Sequence, residues 1–115
     1  MKKSFLINLF AALAMLLSSC GGNAPEDVTE SFRKALLKAD KEAAAKISTE
    51  HMKSGLPLAI ALATDEKIIK ILSEPLDKFD MQSDSGKIES ESMYYALKKI
   101  DGKWLIDNVQ LKVKK

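Results

Sequence analysis

The sequence predicts an α+β domain in which helices come first and an antiparallel sheet follows. Two patterns carry that prediction. Apolar residues recur at helical spacing from Val28 to Leu72, and from Leu76 onward the composition turns to strand character interrupted by turn clusters. Size is a third guide: residues 25–115 suffice for one small core and leave no room for a second domain. The chain has 1 cysteine, so no disulfide closes within it.

Pro25 starts the first helix, because its missing N–H is one that the first turn leaves unpaired anyway; Glu26 and Asp27 there face the positive end of the helix dipole. Val28, Phe32, Ala35, Leu36 and Ala39 form one buried stripe. Asp40 is an N-cap for a short second helix from Lys41 to Ile47, with Ala44 and Ile47 inward. Ser48 to Gly55 breaks the pattern. Pro57 opens a third helical stretch carrying Leu58, Ala61, Leu62, Ile68, Ile69 and Leu72; Thr64-Asp65-Glu66 restarts it after a kink, and Pro75 marks its end. Leu56 to Ala63 is apolar nearly all round. Burial is the simplest reading of it, with a membrane-facing patch, a partner surface or a face between two copies of the chain as alternatives.

Strand character is weak from Leu76 to Gln82 and stronger from Lys87 to Lys99 and Lys103 to Val113. Ser83-Asp84-Ser85-Gly86 and Ile100-Asp101-Gly102 supply the turns. A two-residue Asp101-Gly102 turn would set Ile100 against Lys103 and scatter the apolar residues. A three-residue loop with Gly102 left-handed sets Lys99 against Lys103, Leu97 against Leu105, Met93 against Val109 and Tyr95 against Asp107, and is the preferred register.

Upstream of the domain lies an address. Met1-Lys2-Lys3 is a charged n-region, Phe5 to Leu17 an apolar h-region too short to span a bilayer, and Ser18-Ser19 the small residues before a cleavage point. Leu17-Ser18-Ser19-Cys20 resembles the lipobox of bacterial lipoproteins. That resemblance implies residues 1–19 as signal peptide, acylation of Cys20, and residues 20–24 as a short tether to the membrane. Two or more acyl chains anchor stably where one does so marginally. Losing Lys2 and Lys3 leaves 96 residues with 16 basic and 16 acidic side chains. A balanced chain without a basic cluster gives no reason to expect nucleic acid; Lys112, Lys114 and Lys115 read as solubilising charges on a terminal strand.

Two further stretches resemble a family. Pro25-Glu26-Asp27-Val28, Phe32, Ala35-Leu36, Asp40, Ala44 and Ile47, with the run Leu97-Lys98-Lys99-Ile100-Asp101-Gly102-Lys103-Trp104-Leu105-Ile106-Asp107, look like small bacterial lipoproteins of uncharacterised function in the nuclear transport factor 2-like, or cystatin-like, superfamily. The resemblance implies helices packed in the concave face of a strongly curved antiparallel sheet, a cone often built around a pocket. Leu76 to Lys115 has room for about three strands, so a shortened sheet is expected.

Some members of that superfamily are isomerases or dehydratases with a carboxylate or histidine base in an apolar cone and tyrosines polarising the substrate. In this chain that chemistry would fall to Asp107 as base and Tyr95 as hydrogen-bond donor. His51 is the single histidine and cannot by itself make a metal shell. Ser31, Ser48 and Ser54 fit no hydrolase spacing, and no Gly-rich phosphate loop is present. Trp104 and the tyrosines read as packing residues, and Met52, Met81 and Met93 as core fillers. The expectation is therefore a non-catalytic module without cofactor or metal. It is anchored through Cys20 and binds an envelope protein or a small apolar ligand, and it dimerises if Leu56 to Ala63 packs between copies. A small isomerase or hydratase using Tyr95 and Asp107 is the alternative. Gly21, in place of the aspartate that retains lipoproteins at the inner membrane, points to the outer membrane of a Gram-negative envelope, and the lack of an acidic residue between Cys20 and Glu26 points to its periplasmic leaflet over surface display.

Overall fold

A computed structural model describes residues 24–112. The stretch expected to be a signal peptide, residues 1–19, with Cys20, most of the expected tether, Lys114 and Lys115, lies outside the described residues. Among the described residues five helices precede four strands: α1 Pro25–Leu37, α2 Lys41–Lys46, α3 Glu50–Lys53, α4 Leu56–Leu62, α5 Glu66–Leu72, β1 Lys78–Met81, β2 Ser85–Glu89, β3 Met93–Ile100 and β4 Lys103–Leu111. The α+β order read from the sequence is present.

Helix α1 buries Val28, Phe32, Ala35 and Leu36 as the stripe predicts. It stops two residues before Ala39, which takes a left-handed backbone (φ 56°). The Ala39 N–H donates to the Leu36 carbonyl at 3.1 Å and the Asp40 N–H to the Ala35 carbonyl at 2.9 Å, the Schellman closure of a helix end. Asp40 then caps α2, its carboxylate accepting from the Ala43 N–H at 3.1 Å. The third helical stretch divides into α4 and α5, and the Asp65 carboxylate accepts from the Lys67 N–H at 2.8 Å where the chain restarts.

The sheet is an antiparallel meander of order β1-β2-β3-β4. It has four strands, not the three expected, and does not curl into a cone. The extra strand arises because Lys87 to Lys99 folds back at Ser90-Glu91-Ser92. Those residues carry no Gly, Pro or Asn, so composition hides the turn. The Glu74 carboxylate holds it, accepting from the Ser92 N–H at 3.0 Å and the Ser92 hydroxyl at 2.8 Å.

The β3–β4 register also differs from the preferred one. Ile100 pairs with Lys103 across a two-residue turn in which Asp101 and Gly102 both have positive φ, 53° and 77°. Such turns match the right-handed strand twist. The apolar residues do not scatter, because the ladder shifts between Leu97↔Ile106 and Ala96↔Asn108 and leaves Asp107 as the extra residue of a bulge. Leu97 and Ile106, then Tyr95 and Val109, share the inner face.

The core lies between that face and the helices. Val28, Phe32, Leu56, Leu72, Ile88, Tyr95, Leu97 and Ile106 are each at most 2 % exposed. Removing a large apolar side chain from water stabilises by about 1.5–3 kcal/mol. Arg33, 3 % exposed, crosses this core. Its Nε donates to the Leu72 carbonyl and its Nη2 to the Glu74 carbonyl, satisfying the C-terminal end of α5 with a positive charge.

The two sheet edges differ. Strand β1 carries Lys78 and Asp80. Strand β4 is covered at Ile106, whose N–H donates to the Ile47 carbonyl at 2.8 Å and whose carbonyl accepts from the Thr49 N–H at 2.9 Å.

Candidate functional site

Beyond Ile106 the covering segment turns into α3, and helix α4 runs beside the end of β4. Leu56 is the inward anchor of α4 at 1 % exposure, but Leu58 and Leu62 are 66 % and 47 % exposed, so the bland burial reading holds for one face only. Between α4 and β4 lies a groove of about 350 Å³ walled by Leu58, Ala59, Leu62, Asn108 and Val109, with His51 at one end. A second hollow of about 230 Å³ continues it past Leu62 and Val109 toward Ile68, Met93 and Leu111. The two share Ala59, Leu62 and Val109, and no Asp, Glu, Lys or Arg lines either of them.

The floor of the groove is a strand edge whose outward backbone groups have no partner among the described residues. The Ser90 N–H donates to the Met93 carbonyl at 3.0 Å, the Lys99 N–H to the Asp84 carbonyl at 2.8 Å, and the Lys112 N–H to the Ser92 carbonyl at 2.8 Å. These fix which residues of β3 face β2 and which face β4. By the antiparallel alternation, Asn108 and Gln110 bond to β3, whereas the N–H and C=O of Val109 and Leu111 point away from it, along the groove.

The sequence-predicted pair is not brought together. Tyr95 lies opposite Val109, fully buried, and its hydroxyl sits 3.5 Å from Met93 Sδ. Burial pushes its pKa up to about 12, against the pull of Arg33, whose guanidinium carbon lies 5.8 Å from the ring centre. Asp107 sits in the bulge. Its Oδ1 accepts from the Thr49 hydroxyl at 2.7 Å, and its Oδ2 lies 3.7 Å from Lys98 Nζ. The hollow it lines, about 290 Å³, opens on the outer sheet face beside Asp80, Lys87 and Lys98, whereas Tyr95 faces the core. Two one-residue slips are the physical reason: the two-residue turn at Asp101-Gly102 already moves Asp107 off the position across from Tyr95, and the bulge carries the ladder one residue further, to Val109.

Thr49 links this carboxylate to local helix formation, because its hydroxyl also accepts from the Met52 N–H at 3.2 Å and so caps α3. Met52 and Met93 are core residues; Ser48 is buried and donates to the Ala44 carbonyl at 2.7 Å. Among the described residues no group of three or more His, Cys, Asp or Glu converges as a metal site would require.

Lys112 is not a solubilising charge. It pairs with Glu89 at 2.9 Å and donates to the Ser90 carbonyl at 2.7 Å, and with Lys87 it flanks the Tyr94 ring on the outer face. The hydrogen bond from Lys112 holds the Glu89 carboxyl below its ordinary pKa, and the same bond raises Lys112.

Sequence reasoning missed the free edge. Its signal was available in Ile106 and Val109, two inward residues three positions apart where a regular strand needs an even spacing. Comparisons with protein-family models, curated proteins and solved structures find no match for this chain.

Proposed function

We propose that the chain is a lipid-anchored protein of the bacterial cell envelope that works by binding rather than catalysis, through the groove between α4 and β4. One observation carries the reading: exposed Leu58 and Leu62 stand over a strand edge whose Val109 and Leu111 backbone groups have no partner among the described residues. A side chain seated there gains apolar burial while its backbone gains hydrogen bonds, the combination that strand addition uses. The signal-like start and Cys20 support anchoring, and the likeness of the two chain ends to small envelope lipoproteins agrees with it. Gly21 supports the outer membrane, and the lack of an acidic residue between Cys20 and Glu26 supports its periplasmic leaflet.

An apolar fluorescent dye such as anilinonaphthalene sulfonate tests the groove. Binding to the intact chain at low protein concentration that falls at least about ten-fold in Leu58→Asp and Leu62→Asp, with far-ultraviolet circular dichroism unchanged, supports the reading. Binding unaffected by either substitution overturns it. The anchor has its own test: Cys20→Ala abolishes labelled-palmitate incorporation and membrane fractionation, whereas retention of both contradicts acylation at that residue.

A further inference from the structure

We infer that the occupant of the groove is a second copy of this chain, paired β4 to β4 across a two-fold axis at Gln110; this rests on the binding reading above. An isologous interface demands that one patch complement itself. The end of β4 meets that demand. With the axis at Gln110, Val109 of each copy faces Leu111 of the other, and these are the residues whose N–H and C=O point outward. Each such pair exchanges two backbone hydrogen bonds, so the unpaired groups of both edges are satisfied together.

The side chains agree with that register. Gln110 meets itself, and an amide that both donates and accepts tolerates its own image where a charged residue would not. Asn108 meets Lys112, so no like charges oppose one another along the pairing. On the inner face Val109 and Leu111 form an apolar row beside Leu62, which is 47 % exposed in the single copy; Leu111 is 48 % exposed. The contrast between the sheet's two edges points the same way. Edges are ordinarily protected from pairing by charge, and β1 has Lys78 and Asp80, whereas Asn108-Val109-Gln110-Leu111 has none. Two domains tethered to one membrane would also meet at a raised effective concentration.

Symmetric cross-linking tests the pairing in the full chain. Gln110→Cys places two thiols across a non-hydrogen-bonded antiparallel pair, where the Cα separation of about 4.5 Å lies within the disulfide range. The chain without the added cysteine measures any linkage through Cys20, and Ser83→Cys, in an exposed turn, measures random collision. Under mild oxidation Gln110→Cys is expected to form a covalent dimer at least about ten-fold faster than Ser83→Cys, and adding Leu62→Asp should remove the advantage. Cross-linking at the Ser83→Cys rate overturns the second-copy assignment. If the dye still binds the intact chain and is lost in Leu62→Asp, the groove reading survives that failure with a different occupant; if dye binding is insensitive to Leu62→Asp, both fall.

Discussion

Single residues set the local geometry, and several expected outcomes follow at that scale. Gly102 has φ 77° with nothing within 4 Å of where a Cβ would stand, so Gly102→Val acts through backbone strain alone. It should destabilise by about 1–3 kcal/mol, read as a lowered melting temperature. Ala39 is the reverse case: a side chain sits in a left-handed helix end that favours glycine, and Ala39→Gly should stabilise by up to about 1 kcal/mol. Tyr95 predicts an alkaline limit. Its folded pKa of about 12 exceeds the ordinary value of 10.0, so the folded chain holds the phenol proton more tightly than the unfolded one. That stabilisation is complete below pH 10 and is lost as pH rises from 10 through 12, by roughly 3 kcal/mol. Denaturant midpoints of Tyr95→Phe across this range should be flatter than those of the parent. Glu89 works in the opposite direction: its lowered pKa means that its contribution is present above the ordinary carboxylate range and fades as pH falls through the folded value.

At the scale of elements, the helices were legible and the sheet only partly so. Pro25, Asp40, Asp65 and the Val28–Leu36 stripe announce themselves because caps and helical periodicity are local chemistry. The turn at Ser90-Glu91-Ser92 is held by Glu74 from another part of the chain, so no local signal reports it. Arg33 was overlooked among the core residues for a similar reason: its burial depends on the carbonyls of Leu72 and Glu74, some forty residues away. Arg33→Met keeps volume but leaves those carbonyls unpaired, and should lower stability by about 1–3 kcal/mol per orphaned group in chemical denaturation. The bulge at Asp107 joins α3 to β4 through Thr49. Asp107→Asn retains an acceptor for the Thr49 hydroxyl and should change melting little, whereas Asp107→Ala should loosen α3, seen as faster amide exchange at Met52.

For the whole molecule, the same bulge decides what the surface offers. By absorbing one residue it keeps Val109 inward after Ile106 and turns the backbone of Val109 and Leu111 outward beside α4. The catalytic alternative depended on Asp107 facing Tyr95, an arrangement that this register replaces with one carboxylate on Thr49 and Lys98 and one phenol in the core. The α4–β4 surface, an uncharged strand edge under an exposed helix face, has the chemistry of association. The site was half legible: Leu56 to Ala63 stands out as apolar on all sides, but that it lines a free edge depends on a register the composition does not encode.

The most direct measurement is amide hydrogen exchange at Val109 and Leu111 in the intact chain, followed as protein concentration rises from about 1 μM to about 1 mM. Pairing of the β4 edges predicts that both amides slow by roughly ten-fold or more over that range, while the amides of β1 stay unchanged. Fast exchange at Val109 and Leu111 at every concentration would contradict it.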